Sequence, residues 1–422
     1  MATISLENNN TFPRWRILIA SVFIMLCTGT IYAFSVFAGP LATTKGWTME
    51  EVMLAFTINA AIAPIPMIAG GKWVDNGGAK WALMSGGILF GLGFIFTAMS
   101  TTTTMLYISY GLLSGTGQSL AYSGALGNTV RLFPDKRGLA LGIITAAYGG
   151  AAIIVAPLAS FLIESQGITA TMSSLGIAFV IICVIGGLLI KPAPTGYVPE
   201  GWTPPKTSGN KPSAVNQDVP WTGMIKSYKF YIILAMFSIG PLSGLMIASN
   251  ASIIGQSMIG LSAATAAIFV SIYSLSNCLG RIIWGAISDK IGRYRALMGI
   301  FGVISVMLFI MATMQNVIGF AISIIGIGIC FGGTMGVFPS IVTENFGAKF
   351  YGVNYGIVFT GYAAAAFFGP KIAASIAQAN NGDFTLAFYI AMVCSLIGLG
   401  LTLLFVSLNQ KKKQEVAEKV AM

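Results

Sequence analysis

The sequence predicts an all-α membrane protein of twelve transmembrane helices, arranged as two parallel, pseudo-symmetric halves of six. Three observations predict it. Only 9% of the 422 residues are Asp, Glu, Lys or Arg, against about 25% in ordinary soluble domains. Apolar stretches of about 20 residues, the length that crosses a bilayer as a helix, recur along the whole chain. Two loop motifs repeat at one constant offset. The stretches must be helical, because an unpaired backbone amide in hydrocarbon costs several kcal/mol. The short alternating segments of a membrane barrel are absent from the sequence.

Spans are expected near 17–37, 50–71, 81–99, 104–127, 138–162 and 168–190, then near 229–252, 261–286, 296–314, 316–340, 352–376 and 384–407. Arg14 and Arg16 precede the first, and no small-residue cleavage site follows it, so an uncleaved first helix is expected. The segment 191–228 is rich in Pro, Gly, Ser and Lys. It reads as a flexible linker. The expected division is 1–190 for one half, 191–228 for the linker, 229–408 for the other half and 409–422 for a tail.

The net charge of +10 is explained by position rather than by a nucleic-acid partner. All but three of the 23 Lys and Arg residues lie in the termini or in the loops after spans two, four, six, eight and ten. Lys45 and Lys371 fall on the other side, and Arg281 lies within a span. This positive-inside bias puts both termini in the cytoplasm, with Lys411, Lys412 and Lys413 anchoring near anionic headgroups. Cys27, Cys183, Cys278, Cys330 and Cys394 lie in apolar segments without metal or redox spacing. There is no histidine, no carboxylate pair within a span, and no phosphate loop. Enzyme chemistry, a cofactor and a bound metal are therefore not expected.

The halves repeat. Gly71-x-x-x-Asp75-x-x-Gly78 returns as Gly285-x-x-x-Asp289-x-x-Gly292, and Gly138-x-x-x-Gly142-Ile143 returns as Gly352-x-x-x-Gly356-Ile357. Tyr148 and Tyr362 correspond at the same offset. Both copies fall on one membrane side, so the halves are parallel repeats, an architecture that holds substrate near the midplane where the repeats meet.

Gly285-Ala-Ile-Ser-Asp289-Lys290-Ile-Gly292-Arg293-Tyr-Arg295 resembles the loop signature of the Major Facilitator Superfamily. The first copy departs from it, with Asn76 and Ala79 where basic residues are usual. Phe133-Pro134-Asp135-Lys136-Arg137-Gly138-Leu139-Ala140 and Asn354-Tyr355-Gly356 resemble the oxalate:formate antiporter family, itself similar to monocarboxylate transporters. The likeness covers essentially the whole chain. It implies a secondary transporter for a small organic anion. A monomer is expected, since one chain contains both halves, and the lack of a targeting segment together with the likeness points to a prokaryotic cytoplasmic membrane.

Arg281 is the first candidate for substrate binding. It lies eight residues before Asp289, about 12 Å along a helix, and no other basic residue is expected in any span. An arginine there costs at least about 2.5–3.5 kcal/mol to insert, stays charged, and matches a carboxylate with its fork. The resemblance places the family's anion-binding arginine at this position. The alternative is snorkelling to the loop or pairing with backbone carbonyls. Asn277 and Tyr273 share its helix face at i, i+4 spacing. Asn277 would hold the guanidinium or the substrate, or bond between helices. Animal monocarboxylate transporters carry an aspartate at that spacing, and the oxalate exchanger that names the family carries a lysine where Tyr362 stands. One buried cation suits a monocarboxylate better than a dianion.

Tyr32, Phe34, Tyr122, Phe331 and Phe359 match positions that line the family's cavity, with ordinary packing as the alternative for each. Gln118 and Asn250 are further polar candidates. Asp75, Asp289, Arg293, Arg131 and Glu344, with Lys349, are assigned to a cytoplasmic gate. There each Asp would face a helix N-terminus or a basic partner, or merely a solvated turn. The expected function is transport of lactate, pyruvate or formate by alternating access, with proton symport or anion exchange both open. Oxalate:formate exchange is the alternative, a drug or cation exporter has no need of Arg281, and a non-transporting carboxylate sensor would need an output domain.

Overall fold

A computed structural model describes residues 12–194, 196–203 and 218–421, the side chains of 263, 264 and 411–421 excepted. Among the described residues the chain is helical and carries no strand. α1 runs Arg14–Lys45 with a 3-10 turn at Gly29–Ala33. α2 runs Met49–Asp75, and its ladder breaks at Ala63, where Pro64 and Pro66 bring no backbone N–H. α3 is Ala79–Met99. α4 covers 103–132 and is π-helical over Tyr107–Ser114. α5 and α6 cover 137–166 and 168–189, separated at Gly167 with φ 79° and ψ 166°, a conformation open to glycine and rarely to other residues.

After a one-turn helix at Trp221–Met224 come α7 Tyr228–Ser257, α8 Ala263–Ile291, α9 Arg293–Thr313, α10 Val317–Phe346, α11 Tyr351–Ala379 and α12 Thr385–Ala421. The helices begin where the sequence offers caps: Thr48 and Glu51 form a reciprocal capping box, and Thr102, Ser227 and Ser262 accept from the first turns of their helices.

Among the described residues, length and apolarity alone select 10 helices, merging α5 with α6 and passing over α4. The reason is physical. Gln118, Ser119, Ser123, Asn128 and Thr129 of α4 are all buried, and a helix enclosed by other helices needs little apolar surface toward lipid. Elsewhere the outward residues are apolar, among them Ile19, Phe23, Phe161, Leu188, Phe309, Ile318 and Leu403. Such surfaces are stable in hydrocarbon and not in water, and the chain is a multi-pass membrane protein.

Two compact units emerge. The first is Met1–Trp221 with Val342–Ile357, and the second is Thr222–Ile341 with Val358–Met422. The first thus takes in the connection between α10 and α11, which a cut at 229 assigns to the second half. Within unit one, Tyr32 of α1 meets Tyr148 of α5, and Phe90 and Phe94 of α3 meet Phe179 of α6. Within unit two, α7 packs on α11 and α9 on α12. The same pairing of first with fifth and third with sixth helix recurs, as repeats require.

The segment 191–228 is tied down at both described ends. Asn128 donates to the Lys191 carbonyl at 3.1 Å and accepts from the Ala193 N–H at 3.0 Å. Val219 N–H donates to the Phe346 carbonyl at 2.9 Å, and Asn354 donates to the Val219 carbonyl at 2.8 Å. The tail boundary at 408 is no helix boundary, because α12 continues to Ala421 through Lys, Gln, Glu and Ala, all good helix formers. The Lys411–Lys413 side chains lie outside the described residues. All five cysteines are free thiols, with Cys27, Cys183 and Cys330 buried.

Candidate functional site

In unit two, α8 carries Tyr273, Asn277 and Arg281 on one face, exposed by only 3%, 7% and 4%. Arg281 Nε and Nη2 both donate to Asn277 Oδ1, at 3.2 and 3.1 Å. The amide therefore orients the guanidinium without neutralising it. Asn277 Nδ2 is buried with no hydrogen-bond partner, which costs about 1–3 kcal/mol and which a bound anion would relieve. Tyr273 donates to the Gly244 carbonyl at 2.5 Å, so its hydroxyl is satisfied by backbone. α10 presses on the same row. A Cβ at Gly332 would lie 2.0 Å from the Asn277 carbonyl oxygen, and one at Gly336 would lie 2.4 Å from that of Arg281. This close approach, of the kind small residues permit between membrane helices, locks the backbone beneath the arginine.

Phe331 is buried with its ring against Gly244. Phe359 sits at the turn that interrupts α11 and stacks on Tyr362, centroids 4.8 Å apart and planes at 26°. Both rings are half-buried. Asn250 donates to the Met246 carbonyl of its own helix at 2.9 Å. Lys371 corrects the expectation of a single cation inside the spans. It lies well within α11, exposed, its ammonium 5.3 Å from the Phe367 ring. Nine residues from Tyr362 is two and a half turns and about 13 Å, so Lys371 occupies the opposite face of α11.

In unit one, Tyr148 joins two of the expected tyrosines. Tyr32, 45% exposed on the 3-10 turn, meets its ring edge-on at 5.5 Å, and Tyr122 approaches it to 4.8 Å. Tyr148 donates to Gln118 Oε1 at 2.7 Å, Gln118 Nε2 donates to Asn59 Oδ1, and Asn59 Nδ2 donates to the Tyr110 carbonyl at 2.8 Å. Phe34 is 2% exposed and stacks on Phe56 and on Tyr110, whose carbonyl ends this chain of hydrogen bonds. The sequence reading did not select Tyr148 or Asn59. The repeat correspondence of Tyr148 with Tyr362 was the available signal.

A polar network in unit one centres on Asp75. Its Oδ1 accepts from Arg131 Nη2 at 2.8 Å and from Gly352 N–H at 2.9 Å, and its Oδ2 accepts from Val353 N–H at 3.1 Å. Asp75 thus caps the N-terminus of α11. Arg131 also donates to the carbonyls of Val74 at 2.8 Å, Lys349 at 3.0 Å and Ala348 at 3.3 Å. Arg131 supplies the cation that the first repeat lacks at Ala79. In the second repeat the local pattern is intact, with Arg293 pairing with Asp289 at 2.6 Å and donating to Ser288 at 2.6 Å. Glu344 lies half-buried near the end of α10. Arg14 forks onto Asp135 at 2.6 and 3.0 Å, tying the start of α1 to the loop after α4.

Gly71 and Gly352 touch backbone to backbone beside this network. A Cβ on Gly71 would stand 2.2 Å from the Gly352 carbonyl carbon. Gly71→Ala is expected to destabilise the protein by about 1–3 kcal/mol through overpacking. A Cβ on Gly39 meets nothing within 4 Å, so Gly39→Ala is expected to leave stability near the parent value. Unfolding midpoints of the purified variants check the contrast.

Twelve helices in two repeated halves, lipid-facing apolar surfaces and a buried, oriented arginine define a class of helical membrane carriers. The sequence profile of the Major Facilitator Superfamily matches residues 18–370 and 243–421, and the chain belongs to that superfamily of membrane transporters. It is 31% identical over 394 residues to the oxalate:formate antiporter of Oxalobacter formigenes, covering 92% of this chain and 90% of that one. Monocarboxylate transporter 12 of Xenopus laevis is 25% identical over 432 residues, covering 96% and 91%. Among solved structures, the superfamily transporter FucP in the outward conformation superposes with a TM-score of 0.72 at 14% identity, covering 93% of this chain and 98% of that one.

Proposed function

We propose that this transporter carries a small monocarboxylate of the lactate, pyruvate or formate class by alternating access, its carboxylate bound by Arg281. The observation that carries the reading is the buried guanidinium on α8, oriented by the neutral amide of Asn277. A carboxylate that arrives there gains a charge-assisted fork and accepts from Asn277 Nδ2. Tyr362, Phe359 and Phe331, with Tyr32, Tyr122 and Phe34, line the substrate's path or back the residues that do. Each function here is transport rather than covalent chemistry or sensing, and a single chain carries both halves, so a monomer suffices.

On this reading the Asp75 network, with Arg131, Asp289, Arg293 and Glu344, is the cytoplasmic gate. Opening it breaks the bonds from Gly352 and Val353 to Asp75. Both termini lie on that side, in the cytoplasm, as the basic loops require, and the membrane is the cytoplasmic one. Exchange of one anion for another on Arg281 is one coupling mode. A proton entering with the anion is the other coupling mode.

The relative at 31% identity favours a second reading, exchange of oxalate for formate. Charge separates the two. A dianion needs two cations, and Tyr362 stands where a lysine would supply the second. Lys371 is on the wrong face of α11. Saturable uptake of labelled L-lactate into proteoliposomes, inhibited by formate and pyruvate but weakly by oxalate, is the expected result. Uptake with and without an inward proton gradient then distinguishes symport from exchange. Tyr362→Lys is expected to strengthen oxalate inhibition by about tenfold or more, the scale of one added close charge pair. Absence of lactate uptake, with counterflow driven only by oxalate, would sink the monocarboxylate reading.

A further inference from the structure

The turn between α10 and α11 is gripped from two sides within the first unit. It is short: α10 ends at Phe346, and α11 begins at Tyr351. Gly347 reverses the chain with a φ of 81°, a conformation that glycine adopts freely. One grip is the Asp75 network. Arg131 holds the carbonyls of Ala348 and Lys349, and Asp75 holds the N–H groups of Gly352 and Val353. The other grip is two residues of chain, Asp218 and Val219. Pro220 disfavours a helical backbone at Val219, which leaves both backbone groups of Val219 to bond to other segments. Its N–H donates to the Phe346 carbonyl at 2.9 Å, and its carbonyl accepts from Asn354 Nδ2 at 2.8 Å. Val219 therefore spans the turn, from the last residue of α10 to the first turn of α11. Asp218 Oδ1 accepts from the Lys349 N–H at 3.1 Å, and a Cβ on Gly347 would stand 2.8 Å from the Asp218 Cα.

The two grips meet at Lys349. Its N–H is held by Asp218 and its carbonyl by Arg131, so the residue cannot rotate without breaking one of those bonds. The Asp218 carboxylate also lies within electrostatic reach of the Arg131 guanidinium. Resting on the assignment of the Asp75 network to the cytoplasmic gate, we propose that Asp218 is a positioning residue of that gate, holding the α10–α11 turn in the shape that Arg131 and Asp75 bind. Released from Asp218, the turn samples other shapes, and the bonds to Asp75 are made for a smaller part of the time. The carrier then spends more time with its cytoplasmic gate open. Asp218 is itself exposed, so its contribution is the geometry of the turn rather than a buried charge.

Amide hydrogen exchange in the purified full chain tests this at bonds that Asp218 does not itself make. Asp218→Ala is expected to speed exchange of the Gly352 and Val353 N–H groups by about fivefold, the scale of one net hydrogen bond. Amides of α3 serve as the internal reference and are expected to keep the parent rates. Asp218→Asn keeps an oxygen for the Lys349 N–H and is expected to restore most of the protection. In proteoliposomes, Asp218→Ala is expected to raise KM for external L-lactate by up to the same factor, with kcat changed less. The reason is that substrate from outside binds the form whose cytoplasmic gate is shut. Four results overturn the proposal while leaving the gate standing: exchange that quickens at Lys349 alone, equal quickening in α3, Asp218→Asn behaving as Asp218→Ala, or parental KM in Asp218→Ala. Parental uptake by Asp75→Ala overturns the gate reading, and this inference with it. The exchange measurement uses no substrate, so it decides the proposal whichever acid is carried.

Discussion

Arg281→Gln is expected to lower kcat/KM for carboxylate uptake by more than about a hundredfold. Losing one partner of a buried, hydrogen-bonded charge pair costs roughly 2–5 kcal/mol, and about 1.4 kcal/mol is a factor of ten. The loss should be deep because the neighbouring groups described above do not substitute. Asn277 is neutral, Tyr273 is satisfied by Gly244, and Lys371 lies on the far face of α11. Arg281→Lys retains the charge but loses the planar fork that both Asn277 and a carboxylate engage. Its uptake is expected to fall by about tenfold or more, still above the glutamine variant. Initial rates in proteoliposomes at matched protein density check both. Equal rates for Arg281→Gln and the parent would remove Arg281 from the binding site.

The second large effect is expected at Asp75. Its two oxygens hold Arg131, Gly352 N–H and Val353 N–H together. Asp75→Ala removes the α11 cap, worth about 0.5–2 kcal/mol, and leaves the Arg131 guanidinium, 20% exposed in its side chain, without its ion-pair partner. Breaking a buried pair costs about 3–5 kcal/mol, and partial exposure of Arg131 moderates that figure. The expected outcome is a clear drop in unfolding midpoint together with uptake reduced by about tenfold or more. A double-mutant cycle with Arg131→Gln separates the parts. If the ion pair matters, the two losses overlap and the double variant is less damaged than their sum. If only the cap matters, they add. The corresponding Asp289→Ala should cost less, because Asp289 pairs with Arg293 within one turn of chain.

The two repeats show how much of this was legible. The offset between Asp75 and Asp289 reveals a common loop, and Ala79 reveals that the first copy lacks a cation. Sequence spacing could not reveal that Arg131 replaces it, because Arg131 arrives from α4, 56 positions further on, and only helix apposition brings it there. The depth of Arg281 is readable by counting turns from Asp289, since a helix has a fixed rise. The orientation of its guanidinium toward Asn277 follows from the same i, i+4 spacing. Phe34 illustrates the opposite case. Its residue type suits a cavity wall and a helix core equally, and the stack with Tyr110 and Phe56 is a product of packing. Tyr148 carried a repeat signal, yet the direction of its hydrogen bond depends on a carbonyl of the π-helical stretch of α4.

The amino-acid sequence by itself determined the solvent, the number of helices and their duplication. Those properties rest on composition and local period, which every stretch of chain carries within itself: twenty apolar residues must pair their amides internally in hydrocarbon. Tertiary structure alone decided the partners of Asp75, the face of α11 that Lys371 occupies relative to its neighbours, the attachment of Val342–Ile357 to the first unit and the donor role of Tyr148. These depend on which backbone a side chain meets across a helix contact, and such contacts are set by small residues, breaks and proline bends distributed over the whole fold.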